Sequence, residues 1–109
     1  MGRVALRSHA FKMKLKPGFA EEYKRRHDEI WPEISALLRR SGVSDYSIFL
    51  DEATNTLFAV QKQSGPSSSQ DLGGEPIVQR WWAYMADIME TNPDKSPVSV
   101  PLREMFHMD

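Results

Sequence analysis

The feature that most restricts this fold is the way the spacing of apolar residues switches along the chain. From Ala10 to Leu15, Phe11, Met13 and Leu15 alternate with Lys12 and Lys14, the two-residue period of a strand with one wet face. Pro17-Gly18 then marks a turn. Between Phe19 and Arg40, the residues Phe19, Tyr23, Ile30, Ile34, Leu37 and Leu38 recur at helical spacing. Glu21 with Arg25 and Glu22 with Arg26 add i,i+4 pairs in the favourable order. The strand period returns twice: Tyr46, Ile48 and Leu50 lie opposite Asp45, Ser47 and Phe49, and a second strand covers Thr56 to Gln61. Asp51–Asn55 supplies the hairpin turn between them. Pro76 opens a second helix with Ile77, Val78, Trp81, Trp82, Met85, Ile88 and Met89 on its apolar face. A last alternation runs from Leu102 to Met108.

The order βαββαβ predicts an α+β domain of ferredoxin-like plan, an antiparallel sheet carrying two helices on one face. The other sheet face is left uncovered. A second subunit packed there would make a homodimer of the dimeric α+β barrel type. At 109 residues the chain is a single domain, 1–109. Two interruptions refine this picture. Pro32 has no N–H to donate and restricts Trp31 before it, which predicts a kink or break between His27 and Pro32, or Pro32 as the first residue of a further helix. Gly42 is placed to end that region. Lys62–Glu75, with Ser64-Gly65-Pro66-Ser67-Ser68-Ser69 and Gly73-Gly74, reads as a mobile polar loop.

Several function classes drop out on composition. Lys and Arg number 14 against 15 Asp and Glu, a net charge of −1, so no long-range field gathers nucleic acid or anionic lipid. The absence of cysteine excludes disulfides, thiol nucleophiles and iron–sulfur ligation, and is compatible with a reducing cytosol. Met1–Arg7 lacks the apolar run of a signal peptide, and no stretch could span a bilayer, which makes a soluble cytoplasmic protein the expectation. There is no phosphate-cradling glycine loop and no H-E-x-x-H pair. His27-Asp28-Glu29 looks ligand-rich, but adjacent helical side chains diverge, so no metal is expected.

A cluster of aromatic residues with one histidine remains. Tyr23 and His27 are i,i+4 and share a helix face. A helical histidine taken alone is more often a surface or packed residue. Imidazole is nonetheless the side chain best suited to moving protons near neutral pH. Trp81 and Trp82 point about 100° apart, so both can pack in the core, or one can border a pocket as a flat platform for a sugar ring. Tyr46 points either into the core or over that pocket. The residues by themselves reach an α+β domain with an aromatic-lined pocket, and leave the chemistry open.

Three blocks carry a resemblance. They are Glu22-Tyr23-Lys24-Arg25-Arg26-His27-Asp28-Glu29-Ile30-Trp31-Pro32-Glu33; Tyr46-Ser47-Ile48-Phe49-Leu50-Asp51 with Asn55-Thr56-Leu57-Phe58-Ala59; and Gln79–Met89 followed by Asn92–Val98. The R-R-H-x-x-I-W-P-E and W-W-x-x-M-x-D-x-M motifs together resemble the L-rhamnose mutarotase family, from about Phe11 to Met108. The resemblance implies an enzyme of the isomerase class that interconverts the α and β anomers of L-rhamnose by acid–base assisted ring opening and closure. It implies a homodimeric ferredoxin-like fold and neither metal nor organic cofactor. It further implies that His27 is the proton donor, that Tyr23, Tyr46, Trp81 and Trp82 contact the sugar, and that Asn92 and Asp94 lie on a loop near it. Lys62–Glu75 departs from the family pattern, so no sugar contact is implied there. A cofactor-independent oxygenase and a non-catalytic sugar-binding module are the rival readings of the same fold.

Overall fold

The computed structural model describes residues 6–109, and the expectation for the extreme N-terminus lies outside the described residues. Strand β1 (Arg7–Lys14) leads through the Pro17-Gly18 turn to helix α1 (Ala20–Asp28) and helix α2 (Pro32–Arg40). Strands β2 (Val43–Asp51) and β3 (Thr56–Gln63) form a hairpin. A 3-10 turn (Ser69–Asp71), helix α3 (Pro76–Met85) and strand β4 (Val100–Leu102) complete the chain. All pairings are antiparallel and the sheet order is β2-β3-β1-β4.

The long helical region is two helices. Pro32 takes the first position of α2, where its missing N–H leaves nothing unsatisfied. Trp31 before it is extended, at φ −61° and ψ 132°, as a residue preceding proline favours. Arg40 is the last helical residue of α2, and Gly42 follows at φ +88°, a left-handed conformation that suits glycine. A Cβ there would also meet Gly65 N at 3.0 Å.

One face of the sheet carries the core. Phe11, Met13 and Leu15 from β1 and its extension, and Leu57 and Ala59 from β3, pack against Tyr23, Ile34, Leu37, Val78, Trp81 and Met85 from the three helices. The opposite face presents Phe49, Phe58, Val60, Val100 and Leu102 to solvent.

Strand β2 departs from simple alternation. Its register against β3 shifts between Ser44 and Ser47, and Asp45 is left-handed at φ 47°. This bulge inserts one extra residue and reverses the parity of the residues after it. Val43 and, after it, Tyr46, Ile48 and Leu50 therefore all face inward. Asp tolerates this conformation better than most residues.

Two expectations are corrected. Helix α3 stops at Met85, and the apolar run continues as a turn in which Ile88 and Met89 are buried and Met89 bridges to Leu15. The final strand is Val100–Leu102, paired only with Ala10–Lys12. Arg103–Asp109 has no regular structure, and Met105, Phe106 and Met108 are each more than 75% exposed. Among the described residues these side chains bury against no apolar surface, and a strand needs such a surface as much as a ladder.

Candidate active site

Between the helices and the sheet lies a cavity of about 830 Å³, within the range that takes small ligands. Its walls include Tyr23 and His27 from α1, Tyr46 from β2, Ser69, Gln70 and Leu72 from the serine-rich segment, and Trp81 and Trp82 from α3. The five aromatic and imidazole side chains singled out in the sequence thus converge on one space. Asn92 and Asp94 do not. Both are exposed. Asn92 donates to Ser96 Oγ (3.0 Å), and Asp94 accepts from Ser96 N (2.9 Å), closing their own loop. Bonds from the Ser96 hydroxyl and then the Ser96 N–H hold the Asp94 carboxyl below the usual carboxylate range. Pro97 is the residue of that loop that lines the cavity.

The tautomer of His27 follows from its partner. Its Nδ1 lies 3.1 Å from the Tyr23 carbonyl oxygen, which can only accept, so Nδ1 carries the proton and Nε2 is the free, basic nitrogen. Burial lowers the His27 pKa from 6.5, against the opposing pull of the Tyr23 carbonyl and of Asp28. The ring is therefore neutral at pH 7. It stacks on Tyr23 (centroids 4.2 Å apart, 25° between planes) and meets Trp81 edge-on (5.5 Å, 84°). Burial also raises the Tyr23 and Tyr46 pKa values, so both phenols keep their protons.

The two tryptophans differ. Trp81 is 9% exposed and wedged between His27 and Trp31, whose ring it meets at 5.1 Å and 82°. Trp82 is half-buried and leans on Gly73, where an added Cβ would come within 2.7 Å of the indole. Gly73 thus acts as a seat for Trp82, where the sequence suggested only loop flexibility.

A buried cation ties the two site helices together. Arg26 is 8% exposed; its guanidinium donates to Asp87 Oδ1 (2.8 Å) and Oδ2 (3.2 Å), to the Tyr84 carbonyl (2.8 Å) and to Glu22 (2.7 Å). It also lies 4.5 Å from the Tyr84 ring centroid, a cation–π contact. Arg26 holds the Asp87 carboxyl below its ordinary range, and with Arg25 it holds Glu22 down to about 2. Tyr84 stacks on Trp31 (5.5 Å), which backs Trp81. Pattern reading gives Arg26 only its i,i+4 pair with Glu22 and leaves Trp31, Tyr84 and Asp87 without roles in the site. For Arg26 and Trp31 the signal lies in the run R-R-H-x-x-I-W-P, whose proline fixes where Trp31 must sit; for Asp87 it lies in W-W-x-x-M-x-D-x-M, where Tyr84 occupies an unspecified position.

The serine-rich segment is anchored, contrary to expectation. Ser68 accepts from Gln70 N while Asp71 accepts from Ser68 N (2.8 Å), a capping box around the 3-10 turn. Ser69 N donates to the fully buried Gln61 (2.9 Å). Among the described residues no three His, Asp or Glu side chains are grouped to hold a metal ion, and no helix is long and apolar enough to cross a membrane.

Residues 8–108 match the family model for L-rhamnose mutarotase. The chain is 64% identical over 104 residues to an L-rhamnose mutarotase of Bacteroides thetaiotaomicron, covering 95% of this chain and all of that one. It is 61% identical over 100 residues to an L-rhamnose mutarotase of Mesorhizobium japonicum, covering 92% and 95%. Its fold is similar to the crystal structure of an L-rhamnose mutarotase from Formosa agariphila, with a TM-score of 0.88 and 57% identity over 94% of this chain and 99% of that one.

Proposed function

Because the chain belongs to the L-rhamnose mutarotase family, we propose that it works by carrying one proton on His27 Nε2 between two oxygens of the sugar. The reaction interconverts the α and β anomers of L-rhamnopyranose. Ring opening removes the proton of the anomeric hydroxyl, breaks the C1–O5 bond and protonates O5. Rotation about C1–C2 and the reverse steps close the ring on the other face. Both oxygens are bonded to C1, so one nitrogen can accept the proton from the first and donate it to the second. The supporting observation is the His27 Nδ1 bond to the Tyr23 carbonyl, which leaves Nε2 unprotonated in a ring that lines the cavity. Acid–base assistance of this kind contributes about 10²–10⁴-fold.

In this reading Tyr23 and Tyr46 meet sugar hydroxyls, Trp81 holds the imidazole in place, and half-buried Trp82 is the platform for the ring and its C6 methyl. Asn92 and Asp94 shape the loop that brings Pro97 to the cavity. The sheet order β2-β3-β1-β4 supports a ferredoxin-like plan. The exposed stripe of Phe49, Phe58, Val60 and Leu102, with Met105, Phe106 and Met108 beyond it, supports a homodimer that covers this face. A cytoplasmic location fits the cysteine-free composition.

Exchange NMR at the anomeric protons of equilibrated L-rhamnose tests the mechanism. The protein accelerates α–β exchange, and a folded His27→Ala variant does not. Near-normal exchange in that variant would remove His27 from the mechanism. No acceleration by the parent protein would favour a binding module.

A further inference from the structure

We propose that a buried relay, Gln61 to Ser69 to Tyr46, fixes the Tyr46 hydroxyl as a hydrogen-bond donor to an acceptor oxygen of the sugar, making Gln61 and Ser69 positioning residues of the site. The inference rests on the reading of Tyr46 as a sugar contact. The relay also binds the segment that resembles the family least into its active site.

The proton positions follow from what each group can do. Ser69 N is a donor only, so the Gln61 oxygen must face it, at 2.9 Å. The other end of the same amide is then its NH₂, which donates to Ser69 Oγ at 2.8 Å. The Gln70 amide also donates to Ser69 Oγ, at 3.4 Å. A hydroxyl has two lone pairs and one hydrogen. With both lone pairs engaged by amide donors, Ser69 has only its hydrogen to offer Tyr46 Oη, 3.3 Å away. The Tyr46 oxygen accepts that hydrogen, and its own O–H is left to turn into the cavity. Burial keeps the polarity in force, because Gln61 is 0% exposed on the central strand β3 and no water competes for it.

Local architecture explains why these groups meet. The bulge at Asp45 turns Tyr46 to the inner face of β2, and Gln61 is the β3 residue left between the paired positions Lys62 and Val60 opposite that bulge. Without the extra residue Tyr46 would face solvent and the relay would end at Ser69.

A double-mutant cycle on L-rhamnose exchange, with neutron diffraction from deuterated crystals of the parent protein, tests the relay. Ser69→Ala and Tyr46→Phe each lower kcat/KM roughly five- to tenfold, the loss of one neutral hydrogen bond. The double variant is no worse than either single one, and Ser69→Thr restores most of the loss. Multiplying effects would overturn the relay, because Ser69 would then act apart from the Tyr46 hydroxyl. So would parent-like turnover in Ser69→Ala. Neutron maps read the polarity independently of turnover and of whether any variant folds. Deuterium on Ser69 Oγ aimed at Tyr46 supports the relay, and deuterium on Tyr46 Oη aimed at Ser69 refutes it. A parent protein that fails to accelerate exchange would refute the functional reading alone, since the neutron result stands without it.

Discussion

Replacing Arg26 separates a buried clamp from the surface charges around it. Arg25 and Arg26 are adjacent, and both meet Glu22 within 2.7 Å. The Arg25 side chain is 50% exposed, while that of Arg26 is 9% exposed and reaches across to α3. Arg26→Met keeps most of the aliphatic stem and deletes the donors to the Tyr84 carbonyl, Asp87 and Glu22. The Asp87 side chain is 65% exposed, so water takes over most of that pair and it contributes little beyond a surface bridge. The largest loss is the charge-assisted bond to the part-buried Tyr84 carbonyl at the end of α3, with the cation–π contact added. Together these come to about 2 kcal/mol, or a fall in Tm of roughly 10 °C for a domain of this size. Arg25→Met leaves Tm nearly unchanged. Thermal unfolding followed by circular dichroism measures both. The Arg26 effect narrows in acid: the Asp87 pKa is depressed, so its share is present above the ordinary value of 3.8 and is lost as pH falls through the folded value. Because the clamp joins the helix bearing His27 to the helix bearing Trp81, exchange measured well below the new Tm also falls severalfold. Equal melting of the two methionine variants would refute the assignment of Arg26 as the tie between these helices.

The pH profile reports the base. Burial lowers the His27 pKa below 6.5, so exchange catalysis holds as pH drops past 6.5 and is lost only when Nε2 protonates; an acid limb centred above 6.5 contradicts a free Nε2. Gly73→Ala places a Cβ 2.7 Å from the Trp82 indole and pushes the platform aside, raising the KM for L-rhamnose while His27 chemistry persists, which saturation kinetics measures. Gln61→Met orphans Ser69 N and costs about 2 kcal/mol, whereas Gln63→Met, which removes a buried oxygen with no partner among the described residues, leaves thermal stability unchanged or raised.

Much of the fold was legible because burial repeats. Phe11, Met13 and Leu15 alternate in sequence and are all buried, and the helical stripe Tyr23, Ile34 and Leu37 faces the same core. Pro32 marked the helix break, and the break placed Trp31 behind Trp81. Tyr23 and His27 stack because i,i+4 neighbours on a helix must lie side by side. Alternation put Tyr46 on one face with Ile48 and Leu50, but core and cavity both lie on that inner face, so the period could not choose between them. The C-terminal alternation misled for a different reason. Periodicity reports which face wants burial, and Leu102 to Met108 shows the pattern of a strand that no surface among the described residues buries.

The serine-rich segment shows where compositional reading gives way to accounting of polar groups. Ser, Gly and Pro indicate mobility because they carry little apolar area with which to offset ordering entropy. Yet β3 reads Leu57, Ala59, Gln61 on its inner face, and a glutamine at an inward position between core residues requires partners that the sheet ladder cannot supply. Nearby chain must deliver them, and the segment leaving β3 is close enough to fold back. Ser69 satisfies both ends of the Gln61 amide, and the capping box at Ser68 and Asp71 holds the turn that presents it. One buried side chain therefore orders a segment whose composition alone would leave it free, and does so beside Tyr46 at the cavity wall. The polar residue out of place in the apolar pattern was the informative one, because it had to be answered by a specific neighbour, whereas its apolar neighbours would accept any well-fitting surface.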